Sequence, residues 1–513
     1  MKKNLLVAAL LGGCLQASAQ DVYQVENFIS EDLNGTARYV GMGGAMSALG
    51  ADLSVMGTNP AGIGLYRSSD VATSLSLRTM LDGKKFDGHS PTHVSFDNIG
   101  FVYSSKFSDT GTLRFFNMGF NYHKRKNFNQ LLDVSQRNPG ASQTWAMADM
   151  MLLWGENYAP PYAIAGYETY LINPTTDEYG EPVYDVYNST QNRFRKASSG
   201  SMQEFDFNFS FNLEDRFYLG VTIGAYSVDM DSYSEYWEKL GTPEYDDGKY
   251  TMIDSRSLSG NGFDVKLGAI VRPFYDSPFR IGFSVASPTY LNLRADAYNA
   301  VYSDLAGHSS SYDYKHAIDG YTYQVETPWK FNVSLGHTIG NWLALGAEYE
   351  YADYTSAGVK YDDDWEWDYW YDSESTDHAL ERELRKQLKG VSTFKLGAEI
   401  RVVDGFSIRA GYNYVTSAFR KDAFLNHNIN SASIDYATST DYMNLSDINR
   451  YTCGLGYRGN HLYVDFAYQL QKQKGTFYPY NTQQGDASNV NEALASNVKL
   501  DKQQLLLTLG YKF

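Results

Sequence analysis

Cysteine is nearly absent: 513 residues hold two, Cys14 and Cys453, too few for a disulfide framework. Proline is scarce as well, at 13, and no long uncharged apolar run follows the first twenty residues. With 20% charged residues and a mean hydropathy of -0.43, the chain is no bundle of membrane helices, whose spans need such runs. Basic charge is in short supply: 43 Lys and Arg face 60 Asp and Glu, for a net charge of -17, which argues against nucleic acid as a partner. Nine histidines lie scattered singly, and no Gly-x-Ser-x-Gly elbow, His-Glu-x-x-His pair or phosphate loop occurs, so no enzyme, cofactor or resident metal is expected. Aromatics are plentiful instead: 43 Tyr, 27 Phe and 8 Trp, beside 44 Gly. Many of these Tyr and Phe residues alternate with polar ones, which opposes disorder. Such a composition suits a β-barrel in a membrane.

The first residues read as an export leader: Lys2 and Lys3, an apolar stretch from Leu5 to Leu15, then Ala17-Ser18-Ala19 before Gln20. The small-x-small site favours cleavage after Ala19. The alternative is a lipoprotein box at Leu11 to Cys14, with Cys14 acylated at the mature N-terminus. Cleavage after Ala19 leaves Cys453 alone, so stability must come from packing and strand pairing.

The last residues carry the sharpest pattern. Leu505, Leu507, Leu509, Tyr511 and Phe513 alternate with Gln504, Thr508, Gly510 and Lys512, which suits a closing strand with a lipid-facing side and resembles the terminal strand that the barrel-assembly machinery recognises. The pattern recurs at Phe205 to Phe211, Phe394 to Val402 and Leu462 to Tyr468. Strands are expected near 68–80, 92–107, 111–127, 200–213, 215–234, 256–274, 278–295, 322–339, 342–357, 391–403, 406–419, 447–458, 461–474 and 497–513. These define an all-β, 14-stranded antiparallel transmembrane β-barrel. Short turns at Ser108 to Gly111, Leu213 to Asp215, Gly340-Asn341, Asp404-Gly405 and Gly459-Asn460 alternate with long loops, as in bacterial barrels with turns in the periplasm and loops outside.

Residues 20–67 do not alternate. The run Ala37 to Gly50 is rich in glycine and small residues and leads to Asn59-Pro60-Ala61-Gly62. A fourteen-stranded barrel leaves an open lumen unless something fills it, so a plug is expected there. These residues, ahead of such a barrel, resemble the FadL/TodX family of outer-membrane transporters of long-chain fatty acids and other hydrophobic compounds. The resemblance implies a signal peptide over 1–19, a lumenal hatch over 20–67 with Asn59, Pro60, Ala61 and Gly62 as its motif, and a barrel over 68–513 in the outer membrane of a Gram-negative bacterium. It also implies a lateral exit at a kink in strand three. There the apolar phase reads Leu113, Phe115, then Phe116, Met118, Phe120, Tyr122; the slip at Phe115 and Phe116 marks either a bulge or a lumen-facing aromatic.

Two loops add candidates. Within 127–200, Trp145, Met147, Met150, Met151 and Trp154 show helical spacing and form either a soft ligand-capture surface or a helix packed over the barrel mouth. Residues 361–386 mix acids such as Asp362, Asp363, Asp364, Glu366, Asp368 and Asp372 with Trp365, Trp367, Tyr369, Trp370 and Tyr371. No calcium-ligand spacing appears, and a solvated loop is expected. Charges of both signs are expected in the lumen: Lys330, Glu348, Glu350, Lys395, Glu399, Arg401, Arg409, Arg458 and Asp465. The functional expectation is passive uptake of a hydrophobic small molecule through a lumenal pocket gated by the hatch, with outer-membrane lipid and that ligand as partners. The alternatives are a PorV-like partner in protein secretion and a haem receptor using His308, His316 or His427.

Overall fold

The computed structural model describes residues 21–362, 374–431, 437–482 and 494–513, without the side chains of 315, 316, 362 and 374. Residues 1–20, with the expected leader, and residues 363–373 of the acidic loop lie outside the described residues.

Fourteen strands close into one antiparallel ring: β1 Asp70–Met80, β2 Thr92–Lys106, β3 Leu113–Asn127, β4 Asn188–Leu213, β5 Phe217–Gly241, β6 Asp246–Val271, β7 Arg280–Ala286, β8 Lys330–Ile339, β9 Leu343–Asp353, β10 Gly390–Val403, β11 Phe406–Val415, β12 Tyr442–Arg458, β13 Leu462–Tyr478 and β14 Lys502–Lys512. Each pairs with the next, and β14 returns to β1 in unbroken register from Asp70 with Lys512 to Met80 with Lys502. Closure leaves the ring no free edge, which a sheet in hydrocarbon requires.

The alternation sorts as expected. On β4, Phe207, Phe209 and Phe211 are exposed on the outer wall, whereas Asp206, Asn208, Ser210 and Asn212 are buried inside. Leu396 on β10, Phe466 on β13 and Leu505 on β14 are each more than half exposed; in water such a belt would be costly, and in lipid it is the stable arrangement. Cross-strand rings reinforce it, with Phe116 on Phe211 and Phe120 on Phe207 at 5.2 Å and Tyr122 on Phe205 at 5.3 Å between centroids. Exposed Phe107, Phe274, Tyr275, Trp342 and Phe513 ring the short-turn end, the position of an interfacial aromatic girdle.

Two expectations need correction. The strands expected over 278–295 and 322–339 do not run unbroken up the barrel wall. They stop at Ser287-Pro288-Thr289 and Thr327-Pro328-Trp329, then continue above it as Tyr290–Leu305 and His308–Glu326. Neither proline can donate to the ladder, and at that height the Thr289 amide donates to the Thr327 hydroxyl at 2.8 Å instead. The region 127–200, read as a loop, is largely ordered. Gln130–Ala141 pairs with an extension of β4, and helices α3 (Gln143–Trp154) and α4 (Pro161–Glu168) follow. With 26, 25 and 26 residues, β4 to β6 each reach roughly 85 Å, far beyond a bilayer, and build a sheet over the long-loop end.

Candidate functional site

The barrel encloses residues 21–66. Helix α1 (Val22–Ile29) is capped by Asp21, whose carboxylate accepts the Tyr23 and Gln24 amides at 2.8 and 2.9 Å, satisfying donors that a helix start leaves orphaned. A short helix α2 (Ala37–Gly41) and two 3₁₀ turns, Leu53–Gly57 and Pro60–Leu65, follow. Val25, Val40, Met46, Val55, Met56, Asn59, Ala61 and Ile63 have no exposed surface.

The wall is shaped for this segment. Gly336, Gly346, Gly397 and Gly411 are direct cross-strand partners on β8 to β11, and a Cβ on any of them would strike plug backbone between Met42 and Leu49. The row therefore admits the close approach only glycine allows. Wall side chains also hydrogen-bond the carbonyls of the buried plug backbone. Ser210 donates to the Pro60 carbonyl at 2.8 Å, Thr222 to that of Met56 at 3.0 Å, Asn117 to that of Ile63 at 2.7 Å and Ser284 to that of Thr58 at 2.7 Å. Asn59 opens the second 3₁₀ turn by accepting the Ala61 amide at 3.1 Å. It lies against Gly268, with Pro60 and Ala61 against the adjacent Gly220.

Ion pairs also bind plug to wall, Asp32 with Arg78 at 3.0 Å among them. Arg38 forks onto Glu399 at 2.9 and 3.1 Å, and Glu399 also takes Arg409, which reaches Asp465 at 2.6 Å. Glu31 takes both Arg125 and Lys330. Arg125 continues to Glu204 in a buried network with His123, Asp206, Asp264 and Lys266. His123, Glu204 and Asp206 bring ligand atoms within 4.8 Å of one another, but their carboxylates already face Lys266 and Arg125, so the arrangement is an ion-pair network. Of the charges expected in the lumen, Lys395 pairs with Glu348 and Glu350 at 3.5 and 3.3 Å. Arg401 and Arg458 are exposed at the short-turn rim.

Above the plug lies a chamber of about 180 Å³ between α1 and the outer cap. Phe28, Leu132, Met230, Leu258, Phe419 and Tyr442 supply most of its apolar lining. Tyr23 of α1 stacks on Phe419 at 4.9 Å and meets Tyr442 at 5.3 Å, and its hydroxyl donates to Asn444 at 2.8 Å. Sequence reasoning missed this chamber, because its lining comes from the plug, from Gln130–Ala141, β4, β5, β6 and β12, and from loop residues such as Phe419, with no local signal.

The expected site residues fall in separate places. Asn59 to Gly62 sit at the plug's contact with β4 to β7. In strand three the register shifts between Leu113 and Phe115, so the extra residue is Arg114, one earlier than the phase slip located it. Phe116 faces outward with Phe211, while Phe115 pairs with Asn212 beneath the Arg67 guanidinium at 4.5 Å. The ladders on both sides are continuous from Phe115 up to His123, and no lateral gap opens along them. Trp145, Met147, Met150, Met151 and Trp154 belong to α3, but Met147, Met150 and Met151 are buried against Tyr162, Phe194, Tyr236 and Tyr480; they form the interior of the cap. His308 packs edge-on to Tyr170 at 4.8 Å. His427 is bonded to the Tyr162 hydroxyl at 2.9 Å, and burial in its loop depresses the imidazole to about 4. The His316 side chain lies outside the described residues.

The sequence matches no family model and no curated relative. Solved structures do resemble the fold. A FadL homologue of Pseudomonas aeruginosa superposes with a TM-score of 0.50 at 13% identity, over 94% of this chain and 99% of that one. The toluene transporters TodX of P. putida and TbuX of Ralstonia pickettii give 0.49 at 11% and 0.48 at 13%, with the same coverage. The fold shared with the P. aeruginosa FadL homologue is thus a closed, fourteen-stranded antiparallel barrel, here with residues 21–66 packed inside it.

Proposed function

We propose that this protein admits hydrophobic small molecules through the outer membrane of a Gram-negative bacterium, without an energy source of its own. The observation that carries the reading is the chamber between α1 and the cap, where an apolar patch around Phe28, Leu258 and Phe419 stands among charged groups such as Glu26, Lys196 and Arg256. A molecule entering it leaves water for Phe28, Leu258 and Phe419, a gain of about 0.8 kcal/mol per CH₂ buried. Below it the plug closes the lumen, so passage requires Asn59 to Gly62 and their neighbours to shift from the wall; their small residues allow such rearrangement. The long-loop end faces outward on this reading, the alternating β14 is the segment offered to the assembly machinery, and the bulge at Arg114 beside Phe115 is where the wall would yield sideways. Substrate capture at α3 would require the cap to open, given the burial of Met147 and Met150.

Titration with a fluorescent fatty-acid analogue tests the reading. Saturable binding that Leu258→Asp weakens at least tenfold is expected. Binding that never saturates, or that ignores this substitution, contradicts it.

A further inference from the structure

We infer that the short-turn mouth of the barrel is a docking surface for an acidic segment of a soluble periplasmic protein; its orientation toward the periplasm rests on the uptake reading above. The chain as a whole carries a net charge of -17, yet the inner edge of this mouth is cationic. Arg272 follows β6 in step with the buried Ile270, and Arg280 opens β7 in step with Gly282, where a side chain would meet Asn59 and Ala48 of the plug. Arg401 on β10 is in step with Gly397, and Arg458 on β12 with Gly454; both glycines lie against plug backbone. The strand period therefore carries all four guanidinium groups on the lumen side of the wall.

None of the four has a carboxylate partner among the described residues. Arg272 donates to the carbonyls of Asp215 and Ser277 at 3.2 and 3.3 Å, and Arg280 to that of Leu49 at 3.0 Å. The Nε of each is buried and unbonded. Arg401 is exposed, and Arg458 lies over the Tyr463 ring at 5.6 Å. The acids at this level are engaged or turned away: Asp70 pairs with Lys512 and Asp215 with Arg67, while Glu214, Asp276 and Asp404 are exposed on the turns. Deeper in the lumen the pattern differs, since Arg409 there holds both Glu399 and Asp465.

Like charges left facing water attract the opposite charge, and guanidinium forks favour carboxylates. With strands about 4.8 Å apart, the wall from β7 to β10 runs roughly 14 Å. That is beyond one small anion but within about five residues of extended chain. Lipid headgroups meet the other face of the wall, where Phe217, Phe274 and Trp342 are exposed and Arg216 lies over the Tyr275 ring at 3.9 Å. The lumen-side arginines thus face the aqueous compartment and fit a water-soluble acidic chain.

The test is fluorescence anisotropy of labelled decaglutamate with the full-length protein in phosphatidylcholine nanodiscs, beside a neutral Gly-Ser decapeptide. Decaglutamate should bind saturably, and more weakly as salt rises, while the neutral peptide should not bind. Arg401→Gln with Arg458→Gln should weaken binding at least tenfold, and so should Arg272→Gln with Arg280→Gln. Replacing two exposed cap cations, Lys84→Gln with Lys249→Gln, should leave it unchanged. Absence of saturable binding, or binding that the mouth variants weaken no more than the cap variant does, overturns the docking surface. Phosphatidylglycerol retained in native mass spectra and lost in the mouth variants, without peptide binding, assigns the arginines to lipid headgroups and overturns it too. Decaglutamate binding as described, with no saturable uptake of the fatty-acid analogue in proteoliposomes, overturns the uptake reading alone.

Discussion

The Ser210 hydroxyl, on the inner face of β4, donates to the carbonyl of Pro60 at 2.8 Å, so the wall adds a hydrogen bond at the start of the plug's second 3₁₀ turn. Asn208 approaches the same carbonyl at 3.3 Å. Behind Pro60 lies the glycine pair Gly220 and Gly268, where a side chain at Gly268 would come within 2.1 Å of the Asn59 carboxamide. Gly268→Val is therefore expected to displace the plug while the outer wall stays intact. Planar-bilayer recording checks this: the variant should show steady ion conductance well above that of the wild type.

Arg38 and Glu399 join plug to barrel across the lumen. Arg38→Ala leaves the Glu399 carboxylate short of one of its two guanidinium partners, and stripping a partner from a buried pair costs about 3 kcal/mol. A lower urea midpoint is expected, with Glu399→Gln less harmful because it removes the charge together with the need for its partner. Equilibrium unfolding from lipid vesicles measures both.

The outer belt gives a sharper contrast. Phe209→Arg places a charge in the lipid band and should cost about 2–4 kcal/mol. The same change at Tyr245, an exposed residue beyond the end of β5, should cost under about 0.5 kcal/mol. Equal costs at the two positions would place β4's outer face in water.

His427 makes the cap acid-sensitive. The free imidazole titrates near 6.5 and the buried one near 4, so the neutral ring is favoured in the fold. Its contribution is complete above pH 6.5 and is lost as pH falls toward 4, by up to about 3 kcal/mol. The cap's proteolysis rate should rise across that window, and His427→Gln should flatten the rise.

Much of this molecule was legible in its sequence, because lipid outside and polar filling inside impose a period of two on every spanning strand. Phe205 to Phe211 and Leu505 to Phe513 show that period directly, and fourteen such segments gave the strand count. The breaks at Pro288 and Pro328 were missed since the apolar pattern continues on either side of them. The ordered cap was missed because α3 buries Met147, Met150 and Met151 through contacts with Phe194 and Tyr480, residues remote in the chain. The chamber arises only when α1 folds beneath the cap, and no local spacing records that meeting.

Passage through this barrel requires the plug to move, and a reversible lock between plug and wall decides whether it does. Ideal Cβ geometry places a side chain at Gly282 within 3.4 Å of the Ala48 Cβ, close to the separation of a disulfide. In a Cys453→Ser background, Ala48→Cys with Gly282→Cys should form that bond on oxidation. In proteoliposomes the reduced protein should take up a fluorescent fatty-acid analogue saturably and the oxidised protein should not, with uptake restored by reductant. Equal uptake by the oxidised and reduced forms would mean that passage does not require the plug to move.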